Sequence, residues 1–135
     1  MFGMIGHYEI VREGDVIRVW SASEFNFEAA QRYARDMNDM IGQMPPIFGV
    51  LVSFDSPPII GPEVEETMRR SALERAERGM AAVAFVTTGL EAISVATAQW
   101  QRIYDGSGVA MHFFRELEPA RTWLHEQIDR KKAAG

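Results

Sequence analysis

Residues 48–86 decide the fold, and they read FGVLVSFDSPPIIGPEVEETMRRSALERAERGMAAVAFV. Two short and almost wholly apolar runs, Phe48–Phe54 and Ala81–Val86, enclose a longer amphipathic segment. Apolar runs of this length are typical of strands that are buried on both faces of a sheet. The order strand, helix, strand predicts a β-α-β unit whose two strands run parallel.

The helix between these two runs has clear start and stop signals. Pro62 suits its first position and Gly79 follows its end. Glutamates crowd the first turn, while the later turns hold the arginines Arg69, Arg70, Arg75 and Arg78. We interpret this ordering of charges as one that complements the helix dipole.

The same alternation extends in both directions along the chain. Val16–Trp20 and Val109–Phe114 are further apolar runs, and helical segments precede or follow each of them. Residues 7–12 and Val16–Trp20 flank the turn Glu13-Gly14-Asp15, which predicts a β-hairpin. The chain is therefore predicted to be a single α/β domain over residues 1–135, with the order ββαβαβαβα and a mostly parallel central sheet on which helices pack.

Composition restricts the class of protein. The 135 residues are enough for one hydrophobic core, and the formal net charge is −5. A mildly acidic protein is a poor candidate for binding nucleic acid or anionic membranes. The absence of cysteine excludes disulfides and thiolate chemistry and fits a cytoplasmic protein. No apolar run approaches the roughly 18 residues of a membrane span, so we expect no stable membrane insertion.

The stretch from Met111 to Leu124 reads MHFFRELEPARTWL and combines an aromatic strand, an acidic turn and a Trp-Leu pair. Together with the hairpin opening and Phe48–Asp55, it resembles the STAS domain and, more closely, the SpoIIAA-like bacterial proteins related to it. The resemblance covers nearly the whole chain, and its motifs consist of core residues and helix-capping residues. It implies a non-enzymatic module that binds a partner protein. The alternative that it implies is a carrier of an apolar small molecule or lipid, because the SpoIIAA-like fold is likened to that of CRAL-TRIO lipid carriers.

Some STAS relatives are switched by phosphorylation of a serine at the start of the helix after the second core strand. The nearest match here is Asp55-Ser56, so the resemblance implies Ser56 as a candidate phosphoacceptor. Pro57-Pro58 departs from the small residues of that motif, and Ser56 directly follows the strand. An Asx-type turn that closes the strand is the alternative for this pair.

Parallel strands bring their carboxyl ends to one edge of a sheet, and ligands of open α/β sheets bind beyond that edge. In the predicted sheet, this edge holds serine and threonine hydroxyl groups, one carboxylate and two aromatic side chains. A crevice that binds a small molecule has this composition. The predicted ligand-binding residues are Trp20, Ser21, Ser23, Phe54, Asp55, Ser56, Thr87 and Thr88. Alternatively, Ser23 and Thr88 cap helices and Trp20 belongs to the core.

The sequence gives no sign of a metal, a cofactor or a catalytic set. His7, His112 and His125 are its only histidines, and no two have the spacing of a metal-binding motif. The Gly-x-Ser-x-Gly elbow of hydrolases and the glycine-rich phosphate loops are missing as well. A small hydrolase, with Asp55 and a histidine brought together, is the less favoured alternative.

The segment Leu90–Tyr104 is apolar on more than one side, and Glu91 and Arg102 are its only charges. A helix of this kind is usually covered on more than one side. We therefore expect a homodimer that forms through this helix.

Overall fold

The computed structural model describes residues 8–21, 27–54, 60–87 and 93–135. It has the predicted order ββαβαβαβα, with five strands and four helices. The elements are β1 (Tyr8–Glu13), β2 (Val16–Ser21), α1 (Phe27–Ile41), β3 (Phe48–Phe54), α2 (Pro62–Glu77), β4 (Met80–Thr87), α3 (Ile93–Tyr104), β5 (Ala110–Phe114) and α4 (Leu117–Ala134). The predicted strand boundaries are correct to within one residue at each end.

The strands form one sheet in chain order, β1-β2-β3-β4-β5. β1 and β2 pair antiparallel as a hairpin, and β2 to β5 run parallel. Gly14 makes the hairpin turn at a φ of 63°, in the left-handed region that glycine enters without steric cost. The mostly parallel sheet is therefore confirmed.

The three crossover helices lie on the same face of the sheet. Because the parallel strands follow one another in chain order, right-handed crossovers bring α1, α2 and α3 to one side. We call this side the three-helix face; Ile17, Val50 and Val83 point to it and are buried. α4 follows the last strand and packs on the opposite side, the α4 face.

The α4 face is closely packed. Leu124 and Ile128 of α4 are fully buried against Leu51 and the small side chains of β4. A Cβ atom on Gly49 would lie 2.8 Å from Leu124 Cδ1 and 3.1 Å from Ile128 Cδ1. The lack of a side chain on β3 at this point therefore sets how near α4 approaches the sheet.

Ion pairs join α4 to the N-terminal hairpin. Arg121 Nη1 of α4 lies 3.1 Å from Glu13 Oε1. Lys132 Nζ lies 3.6 Å from Asp15 Oδ2 in the hairpin turn. α4 is thereby held against the hairpin as well as against the central strands.

The winding of the sheet has a consequence for ligands. Open α/β sheets form a crevice at the carboxyl edge where the strand order reverses. This sheet is wound in one direction from β2 to β5, so its described strands contain no such reversal. A binding site has to be sought between the layers of the fold rather than at a switch point. Along the described ranges, none of the helices combines the length and apolar character that a membrane span requires.

Candidate functional site: an apolar cavity with a buried arginine

A small cavity lies between the three-helix face of the sheet and the helices that cover it. Its volume is about 40 Å³. Strands β2 to β4 form its floor, and α1, α2 and α3 each contribute to its walls. We call it the central cavity.

The floor consists of alternate residues of two neighbouring strands. Val50, Val52 and Phe54 of β3 and Val83 and Phe85 of β4 line it. Successive side chains of a strand point to opposite faces, so these alternate positions share the three-helix face. All five side chains are apolar and almost fully buried, so the floor is apolar.

Aromatic rings gather around Phe85 of the floor, and Trp100 and Tyr104 of α3 continue them into one wall of the cavity. The Phe85 ring centroid lies 5.3 Å from that of Trp100, 5.7 Å from Phe54 and 5.0 Å from Phe113. Tyr104 adds a ring at 6.3 Å. Spacings of this kind are favourable for aromatic pairs, so the rings pack against one another.

A polar clamp ties α3 to the start of α2 beside this wall. The Gln99 side chain accepts a hydrogen bond from Ile60 N at 3.0 Å and donates one to Ile60 O at 2.6 Å. Gln99 Nε2 and Arg102 Nη2 also donate to Glu65 Oε1, at 3.2 and 3.0 Å. The hydrogen bond from Arg102, followed by that from Gln99, lowers the pKa of Glu65 below its ordinary value. The clamp fixes Ile60, which lines the cavity, at the entry to α2.

Arg75 is the unusual residue of the cavity. Its side chain lines the cavity and is only 3% exposed. The Nε and Nη2 atoms are buried and have no hydrogen-bond partner. The guanidinium carbon lies 5.6 Å from the centroid of the Tyr33 ring, and Arg75 hydrogen-bonds to Tyr104. Burying a charge in this way is costly unless another group pairs with it.

The two tyrosines beside Arg75 are buried and neutral at physiological pH. Burial raises the pKa of Tyr33 to about 12, although the charge of Arg75 opposes the rise. Burial also raises the pKa of Tyr104, again against the influence of Arg75. Their hydroxyl groups therefore keep their protons and can act as hydrogen-bond donors.

The structure distributes the predicted ligand-binding residues over different places. Ser21 and Phe54 line the central cavity at the carboxyl edge of the sheet. Trp20 is 39% exposed and, because it precedes Ser21 in a strand, points to the α4 face instead. There its ring centroid lies 4.4 Å from the Arg18 guanidinium carbon.

Other predicted residues do not contribute to the cavity or cannot be placed. Thr87 is 1% exposed at the end of β4 and is not part of the cavity lining. The positions of Ser23, Asp55, Ser56 and Thr88 lie outside the described residues. The proposed phosphoacceptor role of Ser56 and the capping roles of Ser23 and Thr88 stay predictions.

Sequence reasoning did not single out the polar residues that the cavity brings together: Tyr33, Arg75 and Tyr104. A signal for Arg75 was available. Val64, Met68 and Ala72 repeat every four residues along α2 as its buried stripe, and Arg75 continues that stripe three residues later. An arginine in the buried stripe of a helix lies in the core, whereas an arginine that complements the helix dipole lies at the surface. This position could therefore have marked Arg75 as a buried charge.

The other titratable side chains that the structure describes lie outside the lining of the central cavity. Within the described part of the chain, no group of three or more metal-ligating side chains is found. His112 is exposed and its ring lies 4.8 Å from that of Phe114. His125 Nδ1 lies 3.8 Å from Asp15 Oδ1, far from the cavity lining.

α3 is buried on one side and partly exposed on another. Trp100, Ile103 and Tyr104 are buried against the three-helix face, whereas Val95 is 58% exposed. The expected homodimer through this helix stays a prediction.

The chain was compared with the models of known protein families, with curated proteins and with solved structures, and no match was found. The resemblance to SpoIIAA-like proteins therefore stays a prediction from the sequence, and the functional argument starts from the cavity.

Proposed function

We propose that this protein is a non-enzymatic binding module of SpoIIAA-like type that holds a small, largely apolar molecule in the central cavity. The observation that carries the proposal is the cavity itself, enclosed between the sheet and the three crossover helices. Its walls are aromatic and aliphatic, and a few polar groups converge on it: Ser21, Arg75 and the two tyrosines. Sites for small molecules have this composition.

The volume of the cavity limits the ligand. About 10–15 Å³ of such space is enough for one water molecule, so a cavity of about 40 Å³ accommodates a group of only a few heavy atoms. Drug-sized ligands occupy roughly 300–1,000 Å³. A short organic molecule is therefore favoured over a whole lipid, which would require the helices to move away from the sheet.

The cavity also reaches the edge at which the sequence analysis expected a ligand. Ser21 and Phe54 are the last residues of β2 and β3, and both line it. A molecule at this edge of the cavity would contact these two side chains.

The second candidate function is the docking of a partner protein, or of a second copy, on α3. Val95 favours it, since 58% of this apolar side chain is exposed. A stable interface buries about 800 Å² on each partner, and one valine is a small part of such an area. The cavity is the better supported site.

The test is native mass spectrometry of the protein purified from its host, combined with binding of xenon followed by methyl NMR. We expect a small molecule that is retained in the native spectrum and lost on denaturation. In ligand-free protein, xenon should shift the methyl signals of Val50, Val52 and Val83, because apolar cavities of this kind bind it.

A matched pair of variants provides the control. Val83→Ile adds one methylene group inside the cavity, so it should abolish both the retained mass and the xenon shifts. Val11→Ile adds the same group at an exposed position on β1 and should change neither. A wild-type protein without retained mass, whose cavity methyl signals do not respond to xenon, would contradict the proposal.

A further inference from the structure

We infer that the ligand of the central cavity is an organic anion, and that its carboxylate pairs with the guanidinium of Arg75. This inference rests on the proposed function and adds the chemical class of the ligand.

Among the residues that the structure describes, no counter-charge lies beside Arg75. Arginine stays protonated in proteins and is almost never fully buried unless it is paired. Arg75 is 3% exposed, and within the part of the chain that the structure describes it takes part in no ion pair. The contacts to Tyr33 and Tyr104 supply a ring and a hydroxyl group but no negative charge.

The dipole of α2 does not account for this burial. A cation that stabilises a helix end does so from the surface or through a hydrogen bond to a terminal carbonyl. Arg69, Arg70 and Arg78 of the same region are exposed, as that role allows. The buried Nε and Nη2 atoms of Arg75 make no such hydrogen bond.

The two unpaired nitrogen atoms lie on one edge of the guanidinium group. Nε–H and one N–H of Nη2 point in parallel, at the spacing of the two oxygens of a carboxylate. This bidentate arrangement is the strong and specific way in which arginine binds a carboxylate.

The surroundings favour a monoanion with an apolar body. One cation balances one negative charge, and the neutral side chains of Tyr33 and Tyr104 line the same cavity. The rest of the lining consists of side chains such as Phe85, Trp100 and Met68, which can contact a short hydrocarbon or an aromatic ring. A phosphate dianion would need more donors and a second positive charge.

The experiment measures the melting temperature and the methyl NMR spectrum of the full chain with sodium butyrate, and with butanol and sodium chloride as controls. Sodium phosphate tests an inorganic anion, while acetate and octanoate test the length of the apolar body. Butyrate should raise the melting temperature of the wild type and shift Met68 and Val83, and it should bind at least about tenfold more tightly than butanol.

Variants assign the effect to the arginine. Arg75→Met should lose the preference for butyrate over butanol, whereas Arg78→Met at an exposed position should keep it. Arg75→Lys keeps the charge but cannot form the bidentate pair, so it should bind butyrate with intermediate affinity. This variant also replaces Arg75→Met in the test if the methionine variant does not fold. NMR spectra of the unliganded variants verify that each is folded.

The outcomes separate the two proposals. If butyrate and butanol bind the wild type equally, or if Arg75→Met retains the preference, the anion inference is overturned while small-molecule binding stands. A stronger response to phosphate than to butyrate would also overturn it. If no compound shifts the cavity signals, the proposed function itself fails.

Discussion

The two faces of the sheet differ in how their cores are built. On the α4 face, Gly49, Ala82 and Ala84 allow a single helix to approach closely, and Leu124 fills the space between them. On the three-helix face, large side chains such as Phe85 and Trp100 leave a cavity of about 40 Å³. Close packing is the usual state of a protein interior, so the face that departs from it is the one to associate with binding.

The two buried arginines repeat this difference. Arg18 lies on the α4 face, where its Nη1 is 3.6 Å from Glu13 Oε2 and its guanidinium covers the ring of Trp20. Arg75 lies on the three-helix face with no carboxylate beside it among the described residues. Arg18 Nε is also buried without a hydrogen-bond partner, but the charge of Arg18 has a carboxylate beside it. Arg75 has two such nitrogen atoms and, among the described residues, no carboxylate.

The largest expected effect concerns the close approach of α4. Gly49→Val places side-chain atoms where Leu124 and Ile128 already lie, and it should lower the free energy of unfolding by about 3 kcal/mol. Urea denaturation measures the change. Gly61→Ala is the control, because a Cβ atom at Gly61 meets nothing within 4 Å; equal losses in both variants would contradict the packing argument.

The three-helix face should respond to alkaline pH. The raised pKa of Tyr33, about 12 against an ordinary value of 10.0, means that the unfolded chain loses this proton first as the pH rises. Stability should therefore be unaffected below pH 10 and fall between pH 10 and 12, by about 2 to 3 kcal/mol from this residue. Denaturation at several pH values, with tyrosinate absorbance as a second readout, measures it. A Tyr33→Phe variant that loses stability just as steeply would refute the assignment.

Adjacent residues of β4 allow the same kind of change on both faces. Val83 and Ala84 are both buried, at 1% and 0% exposure, and point to opposite sides of the sheet. Ala84→Val overfills the α4 face and should lower the free energy of unfolding by about 1 to 2 kcal/mol. Val83→Ile fills the cavity and should change it by less than about 0.5 kcal/mol. The comparison between the faces fails if thermal denaturation ranks the two variants in the opposite order.

The smallest expected effect has the opposite sign. Arg75→Met removes a buried charge that has no counter-charge among the described residues, so the ligand-free protein should gain about 1 kcal/mol in the free energy of unfolding. Arg18→Met should bring no gain, because it removes an ion pair and a ring contact. Chemical denaturation of both variants decides between them. An Arg75→Met variant that is less stable than the wild type would assign a structural role to this arginine.

The sequence predicts the fold well and the site only in part. The strands are recognisable because burial on both faces requires continuous apolar runs such as Phe48–Phe54. The site depends on which face of the sheet a residue points to and on which helix side chains pack over that face. The predicted site at the carboxyl edge of the sheet groups Trp20 with Ser21 because both lie at the end of β2. The pleat of the strand, however, directs their side chains to opposite faces. Arg75 becomes visible only when its position is compared with the buried stripe of α2.

The one-directional order of the strands also governs how the chain can assemble. Each strand pairs with the strand before it, so the hairpin and the successive β-α-β units can form from the N-terminus onward while the chain is being synthesised. α4 is the exception, since it covers the central strands and forms ion pairs with Glu13 and Asp15 near the opposite end of the chain. Until α4 leaves the ribosome, one side of the sheet remains exposed, and a nascent chain that stalls before α4 presents this apolar surface to chaperones or to aggregation.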